Sequence, residues 1–457
     1  DAPLPQARFP ASGTRLMPAG VRAAQDMLPD VAALAGRPLA GARVHARTQE
    51  WFVEERAVTD DAGRLAEPLR YPLRPKNGYQ LSGKAWMLGD GPGWAWDVSE
   101  GRLHVQAPAG AALALVPEGP LLEVTGRGSL VLEGLALSAA GGDAIRSTLD
   151  GKVRIASMDI RRATGNGVSI AGARSAEVVR STIEDVGLDA VFFAEVRRVL
   201  VRSNVVRNAG LYAGLRPALA AINAHRTDAA TVEDNLVERS AYHGIRFAGD
   251  ALIRRNTVLQ SCLLLSDCAA LYTWRRNAGD VRPHSVVTGN LVVGVSGDTS
   301  VKLGVNDWFV GIYLDEFTSD VEVSGNVLAG VNQGIYLHNA WGVEVRGNLV
   351  AARLRTLIDA GERLPPDPAR ALNRMVGNDE LRGDYDARLR RAASGLADGS
   401  DQPPDVDIVA ISRGSSSPAL CYDTVPAALA AWVALAGPRA AADAATGAAF
   451  GTVRLCR

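Results

Sequence analysis

A short phrase built on asparagine recurs along the middle of the chain. It reads RSNVVRNAG at 202–210, EDNLVERSA at 233–241, RRNTVLQSC at 254–262, TGNLVVGVS at 288–296, SGNVLAGVN at 324–332 and RGNLVAARL at 346–354. The asparagines are Asn204, Asn235, Asn256, Asn290, Asn326 and Asn348. Their closest separations are 21 and 22 residues, and the longer gaps read as the same period carrying inserted loops. A period of this size marks a solenoid, because one unit cannot bury its apolar face alone and must stack on its neighbours.

The template extends upstream. GSLVLEGLALSAA, GKVRIASMDIRRA, SAEVVRSTIEDVG and RRVLVRSNVVRNA share it, with Ala136, Asp159, Thr182 and Asn204 read as equivalent positions. Each unit also offers a second short strand, such as GVSIAG at 167–172, GIRFAG at 244–249, ALYTWR at 270–275, GIYLDE at 311–316 and GIYLHN at 334–339. Units of two or three short strands are too small for a βαβ crossover with its helix. Stacked units then pair as parallel strands, every other residue points inward, and side-chain amides at the Asn turn satisfy one another. The predicted fold is all-β: a right-handed parallel β-helix over 126–350. Residues 1–125 read as an irregular β-rich region, with a hairpin in WAWDVSEGRLHVQAP turning at Ser99, Glu100 and Gly101. After about 351 the period is expected to stop. Residues 351–457 read as a charged helical segment followed by a C-terminal cap or extension, making that end partly helical.

Composition excludes several classes. The chain has 457 residues, 47% hydrophobic and 22% charged, which fits a globular protein. A net charge of −1 argues against a constitutive nucleic-acid binder. No apolar run reaches the roughly 20 residues that span a bilayer. The chain begins at Asp1 without Met, read as a processed N-terminus. The four cysteines lack metal spacing and fall into two local pairs, Cys262–Cys268 and Cys421–Cys456. Two disulfides and a secreted or periplasmic location are expected.

Alternation along the second strands sorts their residues. Ile245, Phe247, Leu271, Thr273, Ile312, Leu314, Ile335 and Leu337 point inward. The outward column then holds Asn223 and His225, Arg246, Tyr272 and Trp274, Tyr313 and Asp315, and Tyr336 and His338. Tyr and Trp on one face suit sugar rings, which present apolar C–H faces and hydroxyls. Carboxylates there are few: Asp315 in the column, Glu316 beside it, and Asp267 just before the ALYTW strand. Glycoside hydrolysis uses two carboxyl groups, one protonating the leaving oxygen and one acting as nucleophile or base. The expected catalytic set is Asp267 and Asp315, with Glu316 in reserve. Arg246, His225, His243, His338 and Lys302 are expected to bind hydroxyls or carboxylates, beside Tyr272, Trp274, Tyr313 and Tyr336. A uronate lyase would instead need a cation and a proton-abstracting base, parts for which Arg246, Lys302 and Tyr272 qualify. No zinc motif, P-loop or dinucleotide fingerprint is present. No metal site or cofactor is expected, and no motif demands calcium.

Three stretches resemble bacterial β-helix glycoside hydrolases of the xylosidase, xylanase and fucosidase-like type: PGWAWDVSEGRLHVQAP at 92–108, SDCAALYTW at 266–274 and GIYLDEFTSDVEVSGNV at 311–327. The chain departs from their pattern at Gly93, where Glu is usual, at Ala269 and Ala270, where a glycine or alanine pair is usual, and at Glu316, where a second Asp is usual. The resemblance implies acids at Asp267 and Asp315 and specifies no sugar. The leading expectation is a hydrolase acting on a polysaccharide or oligosaccharide. A uronate lyase or epimerase on the same scaffold and a non-catalytic carbohydrate-binding solenoid are the alternatives. Monomer and trimer are both open.

Overall fold

The computed structural model describes residues 4–11, 15–16, 24–29, 31–34, 36–74, 77–212, 219–277, 284–295, 297, 308–360, 373–380, 409–411 and 452–454. From Leu122 onward the chain winds through three parallel sheets, once per coil. Sheet A includes Ile145–Leu149, Val168–Ala171, His243–Phe247, Cys268–Thr273 and Phe309–Leu314. Sheet B includes Lys152–Ala156, Ser175–Val179, Asp250–Arg254 and Trp341–Arg346. Sheet C includes Asp159–Ala163, Thr182–Val186, Val205–Ala209 and Leu291–Val295. Long strands such as Val191–Arg202 bridge sheets A and B, and Val327–His338 bridges C and A. The all-β solenoid is therefore as predicted. Its interior is one apolar cluster running from Ala140 to Val350, with Phe193, Phe247 and Phe309 fully enclosed.

The recurrent asparagines sit between sheets B and C, and they form a ladder. The backbone N–H and the Nδ2 of Asn204 both donate to Oδ1 of Asn235 at 3.0 Å. The same pair of bonds passes on through Asn256, Asn290, Asn326 and Asn348. Each Nδ2 also donates to a carbonyl one coil back, such as Val232 for Asn256 and Ile253 for Asn290. All six side chains are buried, at 2% exposure or less. The residue before each Asn takes a left-handed backbone: Ser203, Asp234 and Arg255 at φ 52–57°, then Gly289, Gly325 and Gly347 at 61–63°. Glycine adopts that conformation without strain, which accounts for the Gly-Asn spelling of the later repeats.

Three sequence expectations are corrected: the upstream register, the partly helical C-terminal end and the stop of the period after about 351. Thr182 pairs with Val205, not Asn204, so the upstream equivalents lie one residue earlier than read; Ser181 starts the ladder by donating its N–H to Asn204 Oδ1. A polar turn residue upstream is too weak a marker to fix register to one position. The partly helical C-terminal end is also overturned. Among the described residues the only helices are the short 3₁₀ turns Val31–Leu34 and Ala85–Met87, and what is described beyond 348 is strand. RLRTLIDA looks helical by composition, yet Leu349–Ala360 pairs in parallel with Val327–His338 along its length. The open edge of the preceding coil dictates strand there. The coil then continues beyond 350 through Arg374–Val376 and Asp379–Glu380, and Asn348 donates to Asn378. Residues 361–372 and 381–408, the apolar run at 426–437 and the Cys421–Cys456 pair lie outside the described residues.

Before the solenoid, Arg8–Phe9, Arg15–Leu16, Arg43–Gln49, Phe52–Ala57 and Gly78–Ser82 form an antiparallel sheet with its own core. The expected hairpin is Gly93–Asp97 against Arg102–Gln106. The tip of the 43–57 hairpin leans on the coil: Ser266 donates its N–H to the Glu50 carbonyl at 3.1 Å, and Arg47 Nη2 donates to Ser266 Oγ at 3.0 Å. No helix among the described residues is long and apolar enough to cross a membrane.

Replacing Asn290 by Ala strips donors and acceptors from both neighbouring coils. It should cost about 2–4 kcal/mol, since each orphaned buried polar group costs about 1–3. Glu344→Ala, half-buried on the outer side of sheet B with only a surface ion pair to Arg346, should stay within about 1 kcal/mol. Denaturant midpoints measured by circular dichroism check both; equal, small shifts would show that the ladder is not what holds the coils.

Candidate active site

Sheet A aligns one residue per coil as Cα partners: Ser169, Phe192, Asn223, Arg246, Tyr272, Tyr313 and Tyr336. Adjacent members are about 4.8 Å apart. The inward set deduced from alternation is buried throughout, from Ile245 at 0% to Thr273 at 3%. Outward does not mean open, however. Tyr313 and Tyr336 are only 4% exposed. They stack on each other at 4.9 Å, Tyr336 stacks on Trp308 at 5.0 Å, and Tyr272 meets Tyr313 edge-on at 5.4 Å. The column is thus a sealed aromatic wall, with half-buried Tyr272 and Trp308 at its margins.

Asp315 lies at the end of one sheet A strand, two residues beyond Tyr313, where neighbouring coils reach it from either side. The Tyr272 hydroxyl donates to Oδ2 at 2.7 Å, and His338 Nδ1 bonds Oδ1 at 2.7 Å. Both oxygens of Asp315 are thus engaged by side chains of the adjacent coils. The bond to Asp315 raises the pKa of His338 above its ordinary value, against the opposing effect of burial.

Asp267 enters from the opposite end of the neighbouring strand. It takes a left-handed backbone, φ 55°, just before Cys268. The Cys262–Cys268 disulfide closes its loop. Its carboxyl is pushed up to about 7, chiefly by burial, then by the negative charges of Asp315 and Glu50; His338 and a hydrogen bond from Tyr313 oppose the rise. One carboxyl therefore keeps its proton near neutrality while the other is held by donors.

The remaining predicted residues separate into groups. His243 is buried between Tyr242 and Tyr272, with ring centroids 3.9 Å from each, and its Nδ1 accepts the Ala269 N–H at 3.2 Å. Burial, then the nearby Arg246 charge, holds it well below the usual histidine range. His225 stacks on Trp274 at 5.6 Å and donates Nε2–H to its carbonyl at 3.0 Å. Burial and then Arg246 lower it to about 3. These neutral histidines brace the wall. Arg246 is half-buried, and among the described residues it makes no hydrogen bond or ion pair; its Nε is buried without an acceptor. Glu316 is half-buried, and its carbonyl accepts the Arg275 N–H at 2.9 Å. Lys302 lies outside the described residues.

Three contributors escaped the sequence reading. Glu50 comes from the N-terminal sheet. Tyr242 donates its hydroxyl to the Asp267 carbonyl at 2.8 Å. Trp308 occupies the coil position equivalent to Asp267, because Cys268 pairs with Phe309. Aligning the residues that enter each sheet A strand would have exposed Trp308; nothing local marks Glu50. Among the described residues no group of three or more His, Cys, Asp or Glu is arranged to hold a metal ion.

A sequence profile described as "Right handed beta helix region" matches residues 121–292. No curated protein and no solved structure matches the chain.

The elevated Asp267 pKa makes stability depend on pH. The folded state holds this proton to about 7, the unfolded chain only to about 3.8, so stability falls as pH rises between them. Asp267→Asn lacks that penalty. Relative to the parent it should gain on the order of 2–4 kcal/mol between pH 4 and pH 8. Denaturation midpoints across that range test this; a difference that does not change with pH would mean Asp267 titrates as an ordinary carboxyl.

Proposed function

We propose that the chain is a polysaccharide-degrading glycoside hydrolase, with Asp267 as general acid and Asp315 as nucleophile or water-activating base. The observation that carries this is the pairing of two carboxyls in unlike surroundings on one face: Asp315 engaged through both oxygens by Tyr272 and His338, and Asp267 beside Tyr313 and raised to about 7. Carboxyls whose surroundings push them apart are the signature of an acid–base pair. In the reaction Asp267 gives its proton to the glycosidic oxygen as the bond to the anomeric carbon breaks. Asp315 either attacks that carbon, forming a glycosyl ester that water then hydrolyses while Asp267 takes the water's proton, or takes a proton from the water that attacks the carbon directly. The products are a new reducing end and an alcohol. Tyr272, Trp274 and Trp308 supply the apolar margin for sugar rings, and Glu316 stands next in line as a carboxylate.

The lyase alternative is less well supported. Tyr272 and Tyr313 are both raised well above 10, mainly by burial, which opposes a tyrosinate base. A pure binding solenoid has no use for a carboxyl kept protonated beside a second one. The Cys262–Cys268 disulfide supports an oxidising, secreted or periplasmic setting.

Screening against a polysaccharide panel should yield reducing ends without the ultraviolet absorbance of a new conjugated double bond; absorbing products would establish the lyase instead. Asp267→Asn and Asp315→Asn should each lower kcat roughly 10²–10⁴-fold. The Asp267 variant should recover on aryl glycosides, whose leaving groups need no protonation, and the Asp315 variant should not. Wild-type kcat/KM should decline as pH rises through about 7 and Asp267 loses its proton. Unimpaired turnover in either variant would remove that residue from the mechanism.

A further inference from the structure

Arg246 stands in the column one coil from Tyr272, whose hydroxyl holds Asp315. On its other side it neighbours Asn223. A guanidinium placed this deeply is ordinarily paired, because a lone half-buried charge is costly. Here the neighbouring acid is already engaged. Asp189 accepts the N–H groups of Leu219 and Ala220 on Oδ1 at 2.7 and 2.9 Å, and Asn223 Nδ2 on Oδ2 at 2.8 Å. The other groups around Arg246 are uncharged: Tyr242, Tyr272, His225 and His243. Asp189 is the one acid of the described residues felt by Arg246, and it makes no hydrogen bond or ion pair with it; on the face that carries the two carboxyls, the guanidinium is left with donors for a further anion.

We infer that Arg246 is an anion subsite that takes the carboxylate of a uronic acid unit neighbouring the cleaved bond, so that the substrate is an acidic polysaccharide. A planar carboxylate matches the guanidinium fork, which offers two parallel N–H donors. The position relative to the bond rests on the hydrolase reading; the charge recognition does not.

The test uses homogalacturonan, glucuronoxylan and alginate, each beside its carboxyl-reduced form, with turnover measured by reducing ends and binding by calorimetry. Wild type should favour at least one acidic polymer about tenfold or more over its reduced form. Arg246→Met should bring that ratio close to one, and Arg246→Lys, which keeps the charge without the fork, should fall between. Equal handling of every pair by wild type would overturn the inference, as would a ratio unchanged in Arg246→Met. A preference for a sulfated over a desulfated galactan, with none for uronate, would overturn the carboxylate assignment. Equal cleavage of acidic and reduced polymers would leave the hydrolase standing without the subsite. Charge-dependent binding with no products would leave the subsite standing without the hydrolase.

Discussion

From Asn204 to Asn348 each coil is tied to the next by a buried amide, and the register of the described solenoid depends on that ladder. Each ladder asparagine gives two hydrogens to one oxygen of its neighbour and a further one to a carbonyl of the coil behind. The side chains sit at 2% exposure or less, where an unpaired amide is heavily penalised. A slip of one residue in any coil would orphan several polar groups at once and would turn the inward apolar set outward. The loops inserted between Asn256 and Asn290, and between Asn290 and Asn326, therefore lengthen the chain without shifting the column on sheet A.

That fixed column makes the carboxyl pair. Asp315 is reached by Tyr272 from one coil and His338 from the other, so its environment comes from strands 43 and 23 residues away in sequence. Asp267 arrives at the other end of the strand that carries Tyr272, on a left-handed residue beside a disulfide. The N-terminal sheet completes the arrangement. Its hairpin binds Ser266 through backbone and Arg47, and brings the Glu50 charge that helps keep Asp267 protonated. The antiparallel region that precedes the solenoid thus shapes the electrostatics of Asp267 as well as packing on the coil.

Period and alternation were legible in the sequence because both are local. They located the coils, the inward residues and the two acids of the face. Three kinds of information were not local. Burial of Tyr313 and Tyr336 comes from Trp308 and from the tyrosines of adjacent coils, so a correct outward assignment still misjudged exposure. The strand at Leu349–Ala360 is imposed by the edge beneath it, against a charged composition that favours helix. The solitude of Arg246 is a property of what surrounds it: Asp189 lies close enough to matter, yet its oxygens are spent on amides and on Asn223.

The charges of the face form one account. Asp315, Glu50 and Glu316 lie around the face with Arg246 and His338, and Asp189 lies near Arg246. In the proposed reading a substrate carboxylate would sit on Arg246 while the glycosidic oxygen meets the proton of Asp267. Ionising Asp267 removes both advantages together, because the new negative charge repels the substrate carboxylate and no proton remains for the leaving oxygen. In the proposed reading, the surroundings of Asp267, with Asp315 and Glu50 nearby, would serve binding and bond cleavage through the same group. The two roles are coupled through electrostatics across Tyr272, which lies between Arg246 and Asp315 and cannot relieve either by ionising, since burial holds its phenol far above the neutral range.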